Sequence, residues 1–131
     1  MYEYSIPTID RMDMIDVIGI VRNAIHTSKI ESGICVVFVP HTTAGVTINE
    51  NADPAVKFDM IKEMDKIVPL DDHYRHEEGN SAAHIKSTMY SPSLTLIVEK
   101  GKPVLGTWQG IYFCEFDGPR TRRMYVKIIE G

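Results

Sequence analysis

The chain has 131 residues, of which 44% are hydrophobic and 24% charged, and a formal net charge of -4. That length suits one domain able to bury about two thirds of the surface its unfolded form exposes, and the balance excludes disordered and fibrous classes. An acidic total whose basic cluster is local, at Arg120, Arg122 and Arg123, excludes a general binder of nucleic-acid backbones, which needs a concentrated cationic surface.

In chain order, "EYSIPTI" alternates loosely and predicts an opening strand. "DMIDVIGIVRNAIHTSK" follows, with Ile15, Ile18, Val21 and Ile25 at helical spacing, so it predicts a helix closed by Gly33. "ICVVFVP" is a β-branched and aromatic run that predicts a buried strand, stopped by Pro40, and "GVTINE" predicts the next. The stretch "NADPAVKFDMIKEMDKIVP" is punctuated as a helix: Asp53 suits the N-cap, Pro54 the first helical position, and Phe58, Ile61, Met64 and Val68 the apolar stripe. Residues 70 to 79 predict a polar loop, and "NSAAHIKSTMY" a short helix capped at Asn80 or Ser81. The remainder predicts strands at "SLTLIVE", "GTWQGIYFCEF" and "RRMYVKII", separated by turns at "KGKP" and "DGP". Strands in runs with two or three helices between them predict an α+β fold, a compact and mainly antiparallel sandwich or barrel-like core in a single domain spanning 1–131.

The apolar runs fall short of the roughly 18 to 20 residues of a bilayer span, and "MYEYSIPTID" has neither a basic start nor an apolar signal core. No membrane partner and a cytoplasmic location are therefore expected. Cys35 and Cys114 lie far apart without Cys-x-x-Cys spacing, which points to reduced thiols rather than a disulfide framework.

Three histidines sit where strands or loops give way to helices or turns. His41 follows the buried strand, His76 lies in the polar loop, and His84 falls in the first turn of the short helix. Three imidazoles can supply a zinc-type site with an open position, although this spacing alone is not a metal pattern. His26 and His73 read as a helix end and a solvated loop. Two helix N-termini with small polar residues, "NENADP" and "EEGNSAA", are candidate receivers of phosphate; Asn51 and Ser81 stand beside them. Glu50, Asp53, Glu77 and Glu78 are candidate acids, bases or metal-positioning groups, with Asp53 also needed as a cap. Alternation along "GTWQGIYFCEF" places Glu115 on a face with Ile111 and Phe113, where a carboxylate requires a partner, and Tyr112, Cys114 and Phe116 on the other. Cys114 reads as core packing, Trp108 as half-buried packing, and Gln109 has no packing reason to be where it is.

Taken together, "HTTAGVTINENADPAV", "YRHEEGNSAAHIKS" and "GTWQGIYFCEFDGPRTRR" resemble the YjbQ family of small bacterial and archaeal proteins, some of which are described as secondary thiamine-phosphate synthases. The likeness runs from about Ser5 to Ile128. It implies a homotrimer with a cleft near the motif residues, and a site that includes His41, His76 and His84. Glu50, Asn51, Asp53, Asn80, Trp108, Gln109 and Glu115 match the family's motif positions as well.

The activity implied is transfer of a hydroxymethylpyrimidine group from its diphosphate to a thiazole phosphate, with release of diphosphate. Such chemistry requires electrostatic stabilisation of the leaving group. Arg75, Arg120 and the two helix ends are the candidate phosphate receivers, Ser81, Asn51 and Trp108 the candidate substrate contacts, and Glu50, Asp53, Asn80, Gln109 and Glu115 the candidate catalytic set. Mg²⁺ would prefer Glu50 or Asp53, whereas three imidazoles suit zinc and water activation. The alternatives are a zinc-dependent hydrolase or lyase, and a non-catalytic trimer that binds a phosphorylated metabolite.

Overall fold

A computed structural model describes residues 1–131. The elements are β1 (Tyr2–Pro7), β2 (Asp13–Asp16), α1 (Ile18–Ser28), β3 (Gly33–Phe38), β4 (Ala44–Glu50), α2 (Pro54–Ile67), α3 (Ser81–Met89), β5 (Ser93–Glu99), β6 (Lys102–Pro103), β7 (Gln109–Glu115) and β8 (Thr121–Glu130). Every strand pair is antiparallel. A five-stranded sheet runs β1-β8-β3-β5-β6 and a three-stranded sheet runs β2-β7-β4. The fold is α+β with three helices, as the element pattern predicts.

Period-two alternation decides which side chains go where. Ile111 and Phe113 of β7 turn toward the larger sheet and join Val37, Val98 and Val126, with Val21, Ala24 and Ile25 of α1, in the main core. Tyr112, Cys114 and Phe116 turn the other way, against Ala83 of α3 and Met60, Ile61 and Met64 of α2. The three-stranded sheet is thus covered on both faces. The five-stranded sheet has one face in the core and one bare.

The helix start expected within "DMID" is corrected. Asp13–Asp16 forms strand β2, with Ile15 opposite Phe113, and α1 begins only at Ile18, whose N–H donates to Asp16 Oδ1 at 2.9 Å. The cause is an ambiguity of pattern: Ile15 fits both periods, and ladder pairing with β7 supplies hydrogen bonds that a helix end would lack. The start of α2 matches expectation, with Asp53 Oδ1 accepting from Ala55 N–H at 2.9 Å and Pro54 in the first turn. Its expected stripe is only partly used, since Phe58 is 66% exposed. One ion cluster ties α2 and α3 to the loop between β1 and β2. The ammonium of Lys86 on α3, fully buried, donates to Asp65 Oδ1 on α2 at 2.5 Å and to Met12 Sδ at 3.3 Å, while Arg11 donates to Asp65 Oδ2 at 2.8 Å.

The register of β4 on β7 gives this sheet two distinct ends. Ala44 faces Glu115 at one end and Glu50 faces Gln109 at the other. Six residue steps at about 3.4 Å put them roughly 20 Å apart.

Candidate functional site

Glu115 ends β7 at the first of these ends and is fully buried. Its Oε1 accepts from Arg122 Nη2 at 2.5 Å and Asp117 N–H at 2.9 Å; its Oε2 accepts from Thr8 Oγ1 and Arg122 Nε, both at 2.8 Å. Burial alone would push this carboxyl up, but the bonds from Arg122, Asp117 and Thr8 outweigh it and hold it below the ordinary 4.5. Arg122 also donates through Nη2 to the carbonyl and hydroxyl of Thr43. Glu115 has no lone pair facing a cavity. Its contacts within the chain are those of a positioning residue.

What the pair positions is the loop between β3 and β4, and with it His41. Backbone N–H of Arg123 donates to His41 Nε2 at 2.9 Å, so the neutral ring carries its proton on Nδ1. Burial first, then the charge of Arg122, holds the His41 pKa below 6.5. The turn after β7 continues the network. Asp117 Oδ2 accepts from Asn80 Nδ2 and from Arg120 Nη2, both at 2.9 Å. Asn80 therefore occupies the N-cap position of α3 without capping it, and its buried Oδ1 has no protein donor. A buried acceptor left so costs about 1–3 kcal/mol.

The first turn of α3 and the loop before it form the adjoining cavity, about 340 Å³, lined by Tyr74, Arg75, His76, Ser81, His84 and Ile85. The rings of His76 and His84 meet edge to face with centroids 5.4 Å apart. Gly79, at φ +78°, makes the turn that folds the loop back over the helix. His76 Nε2 is also 3.7 Å from Glu78 Oε2. His84 has a second exposure, to a groove shared with Thr42, Ser87, Thr88 and Pro92, beside His41 in the chain. All three imidazoles thus lie toward one end of the sheet, and two of them touch. No three side chains among His, Cys, Asp and Glu converge on a point able to hold an ion within a single chain.

The remaining candidates lie at the other end. Glu50 ends β4; Asn51 N–H donates to the carbonyl of Trp108 at 3.0 Å, and Asn51 Nδ2 to Asp16 Oδ2 at 3.3 Å. Trp108 is 63% exposed rather than half-buried. Gln109 Oε1 accepts from Gly106 N–H at 2.7 Å, closing the turn into β7, so it has a structural reason after all. Asp53 is engaged as the α2 cap. Within one chain, Glu50, Asn51, Asp53, Trp108 and Gln109 do not meet His41, His76, His84, Arg75, Ser81, Asn80 or Arg120.

The residues that sequence reasoning missed are Thr8, Thr43, Arg122 and Asp117, which organise the His41 end. The demand of Glu115 for a partner was a signal, but only the β7 to β8 connection identifies Arg122 as the one that answers it.

A model of the UPF0047, YjbQ-like family matches residues 2–131. A UPF0047 protein of Methanocaldococcus jannaschii is 53% identical over 129 residues, covering 98% of this chain and 94% of its own length. The UPF0047 protein YugU of Bacillus subtilis is 52% identical over 126 residues, 95% and 96% of the two chains. A crystal structure of a YjbQ/UPF0047-family protein from Clostridium acetobutylicum superposes with a TM-score of 0.97 at 52% identity, covering 98% of this chain and all of the other. Identity at this level along nearly the whole length, with the same fold, means that the chain belongs to the UPF0047 YjbQ-like family.

Proposed function

We propose that this protein is an enzyme acting on a small phosphorylated metabolite, and that its reaction is of the secondary thiamine-phosphate synthase type. The observation that carries this reading is the His76 and His84 cavity, where a guanidinium, two imidazoles, a serine hydroxyl and the first turn of α3 surround one space. Those groups favour an anion held by charge and hydrogen bonds. In the reaction proposed, the ring nitrogen of the thiazole phosphate attacks the methylene carbon of the pyrimidine diphosphate. The new C–N bond forms as the C–O bond to diphosphate breaks, and the diphosphate departs with the electron pair. Arg75, Ser81 and His84 stabilise the departing charge.

A metal-dependent hydrolase or lyase is the second reading, favoured by the direct contact of His76 and His84. Zinc held there would act as a Lewis acid on a phosphoryl oxygen or on water. The two imidazoles fit such an ion in part: a third ligand has to come from a rearranged His41 or from another chain. Mg²⁺ on Glu50 would bind at the opposite end of β4 from Ala44 and Glu115, roughly 20 Å along the strand.

Titration calorimetry with inorganic diphosphate tests the shared premise. Wild-type protein should bind it, and Arg75→Ala and His84→Ala should each weaken binding at least tenfold, while His26→Ala should not. Equal affinity in all four proteins removes the cavity from the function. Turnover of the two thiamine precursors, with and without added zinc or Mg²⁺, then separates the transferase from the hydrolase and from a binding protein without catalysis.

A further inference from the structure

A second group of polar side chains stands away from the motif residues. Arg22 and His26, four apart, share one face of α1, and the β5 to β6 hairpin brings Gly101 and Lys102 to the same place. These four residues line a groove of about 340 Å³ in which no apolar side chain and no carboxylate takes part. Its two walls are tied together, since Gly101 N–H donates at 2.9 Å to the carbonyl of Glu31, just after α1. Lys100 and Gly101, at φ +53° and +70°, form the two-residue turn that sends β6 back along β5.

Stability alone gives no reason for this grouping. Arg22 and Lys102 take part in none of the chain's ion pairs, and Glu31, whose carboxylate comes close to Gly101, does not line the groove. The negative end of α1 favours a cation at His26, in its last turn, but it explains neither Arg22 one turn earlier nor Lys102 on another element. Basic groups four apart on a helix weaken it when both are charged. In a chain of formal net charge -4, an unpaired guanidinium, an ammonium and an imidazole around one polar groove make a receptor for negative charge.

We propose that this groove binds a small polycarboxylate. The planar guanidinium of Arg22 takes one carboxylate through two parallel N–H bonds, and Lys102 and His26 take another. The donors stand on two walls, α1 and the hairpin, so a ligand whose charges are spread along a short chain satisfies more of them than one compact phosphate does. The site is separate from the His84 cavity. Helix α1 packs on the face of β7 that carries Ile111 and Phe113, and α3 on the face that carries Tyr112 and Cys114, so the three-stranded sheet lies between them.

Citrate and inorganic phosphate are the probes, each titrated by calorimetry at low ionic strength, where charge is least screened. Citrate should bind at one site, and Arg22→Ala and Lys102→Ala should each weaken it at least tenfold. Lys62→Ala, which removes a charge from α2, should leave the affinity within about twofold, the size of an effect through net charge alone. All three side chains are exposed, so each variant keeps the core. Absence of citrate binding, an equal loss in Lys62→Ala, or phosphate bound as tightly as citrate overturns the proposal. Proton NMR of the histidine rings then places the ligand. Citrate should shift the His26 resonances and leave those of His76 and His84 unmoved; the reverse pattern overturns the proposal as well. None of these measurements involves diphosphate, so they stand apart from the functional reading of the His84 cavity.

Discussion

Replacing Glu115 tests the argument that this residue positions His41 rather than reacting. Each carboxylate oxygen receives two donors, Arg122 Nη2 and Asp117 N–H on one, Thr8 Oγ1 and Arg122 Nε on the other. An amide nitrogen at either position faces two donors, so Glu115→Gln is not conservative here. Arg122 is 2% exposed, and stranding a buried guanidinium costs about 3–5 kcal/mol. Against a total stability of about 5–15 kcal/mol that is a large share. Urea unfolding should show the midpoint of Glu115→Gln falling accordingly with the slope unchanged. The double variant Glu115→Leu with Arg122→Met should recover much of the loss, because an apolar pair leaves no charge uncompensated. The sign in pH follows from the lowered carboxyl. Its contribution is fully present above the ordinary 4.5 and is lost as pH falls through the lower folded-state value. A Glu115→Gln stability within about 0.5 kcal/mol of wild type, where substitutions away from special features fall, or a double variant less stable than the single, would refute the reasoning.

The Lys86 cluster makes a parallel case: Asp65→Asn should cost about 3 kcal/mol by stranding the buried ammonium, and adding Lys86→Met should restore most of it in the same urea assay. Native protein should leave Cys35 and Cys114 unreactive to a thiol reagent until unfolded, since burial pushes the Cys35 thiol up to about 11 and the Cys114 thiol higher still; rapid labelling of either refutes the core placement. His41 should titrate below 6.5 by NMR. Its contribution to stability is then full above pH 6.5 and lost as pH falls through the folded value, so a raised midpoint contradicts the burial and Arg122 argument. For the zinc reading, His41→Ala, His76→Ala and His84→Ala should each remove most bound zinc with little change in thermal midpoint. His26→Ala and His73→Ala should do neither, and equal zinc in all five proteins ends the shared-ion idea.

Local chemistry made several features legible in the sequence alone. Asp53 and Pro54 mark a helix start because the cap bond and the missing N–H act within three residues. Strands β3 and β7 declare themselves through a continuous apolar run and through alternation, and alternation also separates Glu115 from Cys114. The family motifs mark His41, His76 and His84 as a group. Where two periods share residues, as at Ile15 and Ile18, the sequence is ambiguous, and only ladder pairing with β7 turns "DMID" into a strand.

Tertiary structure decided the rest. It chose Arg122 as the partner of Glu115, left Trp108 exposed, and employed Gln109 in a turn. Above all it divided the motif residues between opposite ends of β4 and β7. One-dimensional order places Glu50 only nine positions from His41, but an extended strand spends about 3.4 Å on each residue, so nearness along the chain becomes distance across the sheet. His76 and His84, eight apart, meet because a glycine turn reverses the chain onto its own helix. Those outcomes depend on pairing and packing between distant segments, and no local pattern encodes them.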